Sequence, residues 1–157
     1  MRKRIVSVAN QQAVVPAADW LNLDQLVEVE ITSEDAAYPV ENALLPGESS
    51  GWRAAEPGEQ TIRLLFAEPQ ALQRIRLHFV DSHNERTQEF CLRWSADGGR
   101  TFQDILRQQW NFSPLGTTTE TEDLQVELPA VSVLELHIIP DISGGDALAS
   151  LAALQLA

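Results

Sequence analysis

Two stretches of this chain carry side chains whose types and spacing suit ligand chemistry. Trp110 and Asn111 open the run Trp110-Asn111-Phe112-Ser113-Pro114-Leu115-Gly116. An indole at a loop mouth can stack on the apolar C–H face of a sugar while a neighbouring amide bonds its hydroxyls. The alternative is that Trp110 and Phe112 plug one end of a core. Asp81-Ser82-His83-Asn84-Glu85-Arg86 is the second stretch. His83, Asn84 and Arg86 combine donors and acceptors, and the Arg86 guanidinium is a fixed fork of donors for hydroxyls or carboxylates. A solvated hairpin loop with Arg86 pairing Glu85 or Glu89 is the alternative. Tyr38 and Glu41, in an earlier irregular stretch, could reach the same rim.

Other combinations promise less. His78, Asp81 and His83 are metal-ligating types, but positions 78 and 83 point to opposite faces of a strand, so no metal site is expected. Cys91 sits mid-strand with no histidine near it in sequence, which argues against a nucleophile. Glu120 and Glu122 are paired carboxylates, but a chain with 23 acidic residues produces such pairs by chance. No G-x-S-x-G, H-E-x-x-H or glycine-rich phosphate loop occurs. The chain is expected to be non-catalytic and to need no cofactor.

These residues must be positioned by strands. Val27, Val29 and Ile31 alternate with Glu28 and Glu30 in the period-two pattern of a half-buried strand. Residues 33–58, rich in proline and glycine, form a long excursion. Ile62, Leu64 and Phe66 make a second run, ended by Glu68-Pro69, and Ile75, Leu77 and Phe79 a third. Residues 87–95 and 101–109 flank Asp97-Gly98-Gly99, a strong hairpin signal because glycine accepts positive φ. Leu124, Val126 and Leu128 make a strand stopped by Pro129, and residues 133–139 and 148–156 supply the last two. About eight strands with almost no helix predict an all-β, antiparallel sandwich or barrel. Residues 17–26 predict a short helix within an N-terminal extension, 1–26, ahead of a domain at 27–157.

Composition narrows the partners. The 157 residues fit a single domain large enough to fold without disulfides or metal. Lys+Arg is 11 against Asp+Glu 23, a formal net charge of −12, which argues against nucleic acid and anionic membranes as partners. At 44% hydrophobic residues the chain is not a disordered one. Met1-Arg2-Lys3-Arg4 precedes too short an apolar run for a signal peptide, and no apolar stretch nears the ~20 residues that span a bilayer. A soluble, cytoplasmic protein is expected.

The order of features is similar to a known family. Asn42-Ala43-Leu44-Leu45-Pro46-Gly47-Glu48-Ser49-Ser50-Gly51-Trp52 resembles the N-A-x-D-G-x-x-x-T-x-W stretch of discoidin (coagulation factor 5/8 type C) domains. Ile75-Arg76-Leu77, then residues 90–94 and Ser95-Ala96-Asp97-Gly98-Gly99, resembles the family's strand followed by an S-x-D-G turn. The resemblance covers about residues 27–157. It implies a galactose-binding-like jelly-roll sandwich of eight strands, mostly a non-catalytic binder of glycans, lipids or proteins. Such sugar sites commonly combine His, Arg and Asn with a stacking aromatic, which points to Trp110, Asn111, Arg86, His83, Asn84 and Tyr38. Pro46 replaces the usual Asp, and the final strand carries Ala where Glu is frequent, so the family's calcium ion is not expected. Ser95 to Phe102 also fits the Asp-box of sialidase-like propellers, but it occurs once and is read as a side-chain-held hairpin. The expected function is recognition of a neutral or amino sugar, with a cytoplasmic protein-interaction module of the same fold as the alternative.

Overall fold

The computed structural model describes residues 20–47 and 50–157. Residues 17–19 of the expected helix lie outside the described residues. What forms is a single turn, α1 (Leu23–Leu26), whose Asn22 cap accepts from the Asp24 amide at 3.3 Å. Leu23 is buried in the core, so this segment packs into the sandwich. A second turn, α2 (Glu41–Leu44), interrupts the long excursion. Among the described residues no helix is long and apolar enough to cross a membrane.

The described residues form eight strands: β1 (Val27–Ile31), β2 (Trp52–Arg53), β3 (Gln60–Val80), β4 (Arg86–Ser95), β5 (Gln103–Phe112), β6 (Thr119–Ile139), β7 (Ser150–Leu151) and β8 (Ala153–Leu156). β3 and β6 are 21 residues each and run antiparallel through two layers. Their first-layer halves pair β1 with β3 (Val29↔Leu64), β3 with β6 (Leu64↔Leu134) and β6 with β4 (Leu134↔Trp94), and β5 closes the edge. In the second layer β3 pairs β8 (Leu77↔Leu154) and the start of β6 (Leu77↔Glu122). The architecture is an antiparallel galactose-binding-like β-sandwich.

The expected stops at Pro69 and Pro129 are not stops. Both prolines lie inside the long strands, where the β3–β6 register shifts between Leu65 and Arg74. Proline has no N–H for the ladder, and a bulged stretch is where a strand tolerates that and bends. The strand count stays at eight because these two mergers are offset by the short β2 and by the split of residues 148–156 into β7 and β8.

The core is the space between the layers. Ile62 and Leu64 from one half of β3, and Ile75, Leu77 and Phe79 from the other, meet Phe90, Leu92, Leu134, Leu136 and Ile138. The Phe79 and Phe90 rings lie 5.2 Å apart. On the outer face of the first layer Glu135 stands in register with Arg63 and Arg93 and bonds both guanidinium groups. The hairpin after Ser95 is held as expected: Asp97 accepts from the Arg100 and Thr101 amides and from the Ser95 and Thr101 hydroxyls. Those bonds, Thr101's first, keep its carboxyl well below the usual carboxylate range.

The chain enters and leaves this sandwich at one place. Leu21 donates its amide to the Leu156 carbonyl at 2.7 Å, and Gln73 donates to the Ala157 carbonyl at 2.7 Å. Gly51 is the tightest point of the excursion. Its φ is +70°, and a Cβ there would lie 2.6 Å from the Leu151 carbonyl oxygen. Gly58, at φ +91°, has open space around it. Gly58→Ala is expected to cost about 1 kcal/mol of backbone strain. Gly51→Ala is expected to cost about 1–3 kcal/mol more, from the forced backbone shift, as read by urea unfolding midpoints at constant m-value.

A candidate ligand cleft at one end of the sandwich

Where β3 ends and β4 begins, the chain opens a cleft of 770 Å³, within the range of small-molecule sites. It is lined by Tyr38 and Arg53, by His83, Asn84 and Arg86, and by Asp141 and Asp146 from the loop before β7. Four of the expected residues, Tyr38, His83, Asn84 and Arg86, therefore share one mouth.

Each is placed by a local device. The Asp35 carboxylate caps its own turn by accepting from the Ala37 amide at 2.9 Å. Asp35 and Tyr38 are both tied to Arg53 of β2, with Asp35 donating to the Arg53 carbonyl at 2.8 Å and Arg53 donating to the Tyr38 carbonyl at 3.2 Å. The Arg53 guanidinium then sits 4.2 Å over the Tyr38 ring and covers one of its faces.

Asp81 organises the loop 81–86. Its Oδ1 accepts from the amides of His83 (2.9 Å) and Asn84 (3.0 Å), and its Oδ2 accepts from Arg86 Nε at 2.7 Å. This leaves the side chains of His83 and Asn84 exposed at the mouth. Burial alone would raise Asp81, but the Arg86 bond and the two amides outweigh it and hold the carboxyl below its ordinary value. Arg86 is 5% exposed as a residue and lies under the loop, its guanidinium 4.7 Å over the Phe112 ring. Nη1 donates to the Pro140 carbonyl at 2.7 Å and to Gln88 Oε1 at 3.2 Å. Nη2 carries no hydrogen bond to another described residue. The alternative pairing of Arg86 with Glu85 or Glu89 does not form; Arg86 partners Asp81.

Trp110 and Asn111 do not reach the cleft. β5 runs on to Phe112, so Trp110 lies in a strand, not a loop, on the same face as the buried Phe112 and packed against the core. Asn111, on the other face, accepts from the Thr87 hydroxyl at 2.6 Å. The ring that stands at the mouth is Tyr38, while Trp52, which also borders the cleft, is buried and donates Nε1 to the Ser33 carbonyl at 3.1 Å.

The sequence reading offers no reason to single out Arg53, Asp141 or Asp146, which only the chain's return brings to the rim. Gln88 was legible. Arg86, Gln88, Phe90, Leu92 and Trp94 share one face of a strand, so its apolar end implied that the polar start also faces inward. Among the described residues no group of three or more His, Cys, Asp or Glu side chains is placed to share a metal ion. Burial pushes the Cys91 thiol up, away from the thiolate a nucleophile needs.

No protein-family model matches the chain, and no curated protein matches it. Solved structures do. A family 32 carbohydrate-binding module from C. perfringens NanJ, in complex with galactose, is 12% identical with a TM-score of 0.64, over 87% of this chain and 96% of that one. A second such module from Clostridium perfringens, in complex with GalNAc-β-1,3-galactose, is 19% identical with a TM-score of 0.60, over 87% and 98%. Reduced XRCC1 bound to the DNA pol beta catalytic domain is 15% identical with a TM-score of 0.60, over 85% and 95%. At these identities the likeness is one of fold.

The Asp81–Arg86 pair has side chains 9% and 2% exposed, so breaking it strands a buried cation. Asp81→Asn is expected to lose about 3 kcal/mol at pH 7. A carboxyl whose pKa is lowered by folding stabilises above its unfolded pKa and ceases to do so as pH falls through the folded one. Urea unfolding across pH should therefore show the gap between wild type and variant full at neutrality and closing on acidification below about pH 4.

Proposed function

We propose that this chain is a non-catalytic carbohydrate-binding module that takes a neutral or amino sugar in the cleft between Tyr38 and the loop 81–86. The observation that carries the reading is the convergence of exposed His83 and Asn84, the buried Arg86, Tyr38 and Arg53 on the lining of one cleft. Sugar hydroxyls need this mixture of donors and acceptors. The apolar side chains of Val80 and Leu148, exposed on the same lining, can meet the C–H face of a ring whose platform at Tyr38 is half covered. Asp81, Glu85, Asp141 and Asp146 against Arg53 and Arg86 leave the lining net negative, which suits a neutral or cationic ligand better than an anionic one. The galactose and GalNAc-β-1,3-galactose complexes of similar folds support the sugar class.

A second reading, a cytoplasmic protein-interaction module, is favoured by one observation. Of the four exposed large apolar side chains among the described residues, Val80, Ile142 and Leu148 cluster at this end of the sandwich. Backbone NMR titration with galactose, N-acetylgalactosamine, galactosamine and galacturonate separates the two. The first three sugars are expected to move the resonances of Tyr38, His83 and Asn84 with millimolar Kd, and galacturonate to bind more weakly. Asn84→Ala and His83→Ala should each weaken binding about tenfold, one hydrogen bond's worth, while Trp110→Phe leaves Kd unchanged. Silence at the cleft with all four sugars at about 10 mM, a concentration that partly fills even a very weak site, overturns the sugar reading.

A further inference from the structure

Beneath the cleft floor runs a file of buried polar side chains. Arg86 Nη1 donates to Gln88 Oε1, and Gln88 Nε2 donates to Glu120 Oε1 at 3.4 Å. Gln88 is 0% and Glu120 1% exposed. The polarity of the file follows from chemistry. A guanidinium only donates, so Gln88 must turn its carbonyl to Arg86 and its NH2 to Glu120, which must accept. The second Glu120 oxygen, Oε2, is buried without a partner among the described residues. So is Nε1 of Trp110, directly opposite Gln88 in the β4–β5 register. A buried polar atom left unpaired is costly, so these two positions are not explained by packing alone.

We propose that Glu120 is a positioning residue for the cleft: through the Gln88 amide it holds the Arg86 guanidinium at the cleft floor. Its bearing on ligand affinity rests on the reading of that cleft as a sugar site. The groups that face Glu120 are Arg86 and Gln88 from β4 and Glu122 from β6 itself; Phe79, its partner on β3, brings no charge. Burial first, and then the charge of Glu122, push the Glu120 carboxyl up to about 7, while Gln88 and Arg86 pull it down. Glu120 therefore ionises around neutrality. The carboxylate is a stronger acceptor for Gln88 than the acid and attracts Arg86 directly, so the hold on the guanidinium tightens as pH rises.

Arg86 Nε–H, bonded to Asp81 and buried, is the ligand-free reporter. Its 15N–1H resonance should move between about pH 5.5 and 8.5 with a midpoint near 7 in wild type, and stay flat in the isosteric Glu120→Gln. In Gln88→Met the movement should shrink to less than about half, because the hydrogen-bonded path is gone while the through-space field remains. A flat wild-type resonance overturns the proposal, as does a Gln88→Met response equal to wild type. If galactose binds, Gln88→Met should raise its Kd about threefold or more, and an unchanged Kd removes the link to the ligand. Failure of every sugar to bind removes the sugar reading alone, because the Arg86 resonance still decides the relay.

Discussion

Two strands that each serve both layers govern this molecule. β3 and β6 are hydrogen-bonded to one another over most of their length, so neither can bend without the other. The bend must fall where the ladder is already interrupted, and the register shifts around Pro69 and Pro129 supply that place. Once it is set, β3 delivers Ile62 and Leu64 to one wall of the core and Ile75, Leu77 and Phe79 to the opposite wall. It also ends the second layer at Val80, so the loop carrying Asp81, His83 and Asn84 opens beside the start of β4. The cleft is the place where one bent strand runs out.

Charge is distributed with the same economy. The chain is strongly acidic, yet several of its buried or half-buried carboxylates have an arginine partner: Glu135 with Arg63 and Arg93, Asp81 with Arg86. Burial alone would lift Glu135, but the bonds from Arg93 and Arg63 outweigh it and hold it below its ordinary value. Arg74 and Arg107 are taken up by Asp123 and Glu89. Arg53 rests on the Tyr38 ring at the cleft, without a carboxylate among the described residues. Glu120 is a buried acid touched by an amide, with one oxygen unpaired among the described residues.

Much of this was legible in the sequence, for physical reasons that also explain the rest. Period-two alternation is strict where one strand face is buried, so Val27 to Ile31, Ile62 to Phe66 and Ile75 to Phe79 read directly as strands. Proline was read by its local effect, a missing donor, and not by its permitted role at a bulge, which divided two strands into four. Loop residues of the right types, His83 and Asn84, could be named, but their company could not. Arg53, Asp141 and Asp146 arrive from segments tens of residues away, and sequence spacing carries no trace of that return. Trp110 was misplaced by a boundary: three more residues of ladder turned an expected loop aromatic into a wall of the core. Polar residues on an apolar face, Arg86 and Gln88, were the available signal for the buried file beneath the cleft.

The meeting of Leu21 with Leu156, and of Gln73 with Ala157, fixes how such a domain would hang from anything attached to it. Both described ends leave beside Gln73, while the loop that carries His83 and Asn84 to the cleft starts at Asp81, eight residues further along the chain. At about 3.3 Å per residue that is a separation of roughly 25 Å. A tether at either described end would therefore pull from one pole and leave the mouth directed outward at the other. Swivelling about that single attachment point would sweep the cleft across a neighbouring surface without straining the sandwich.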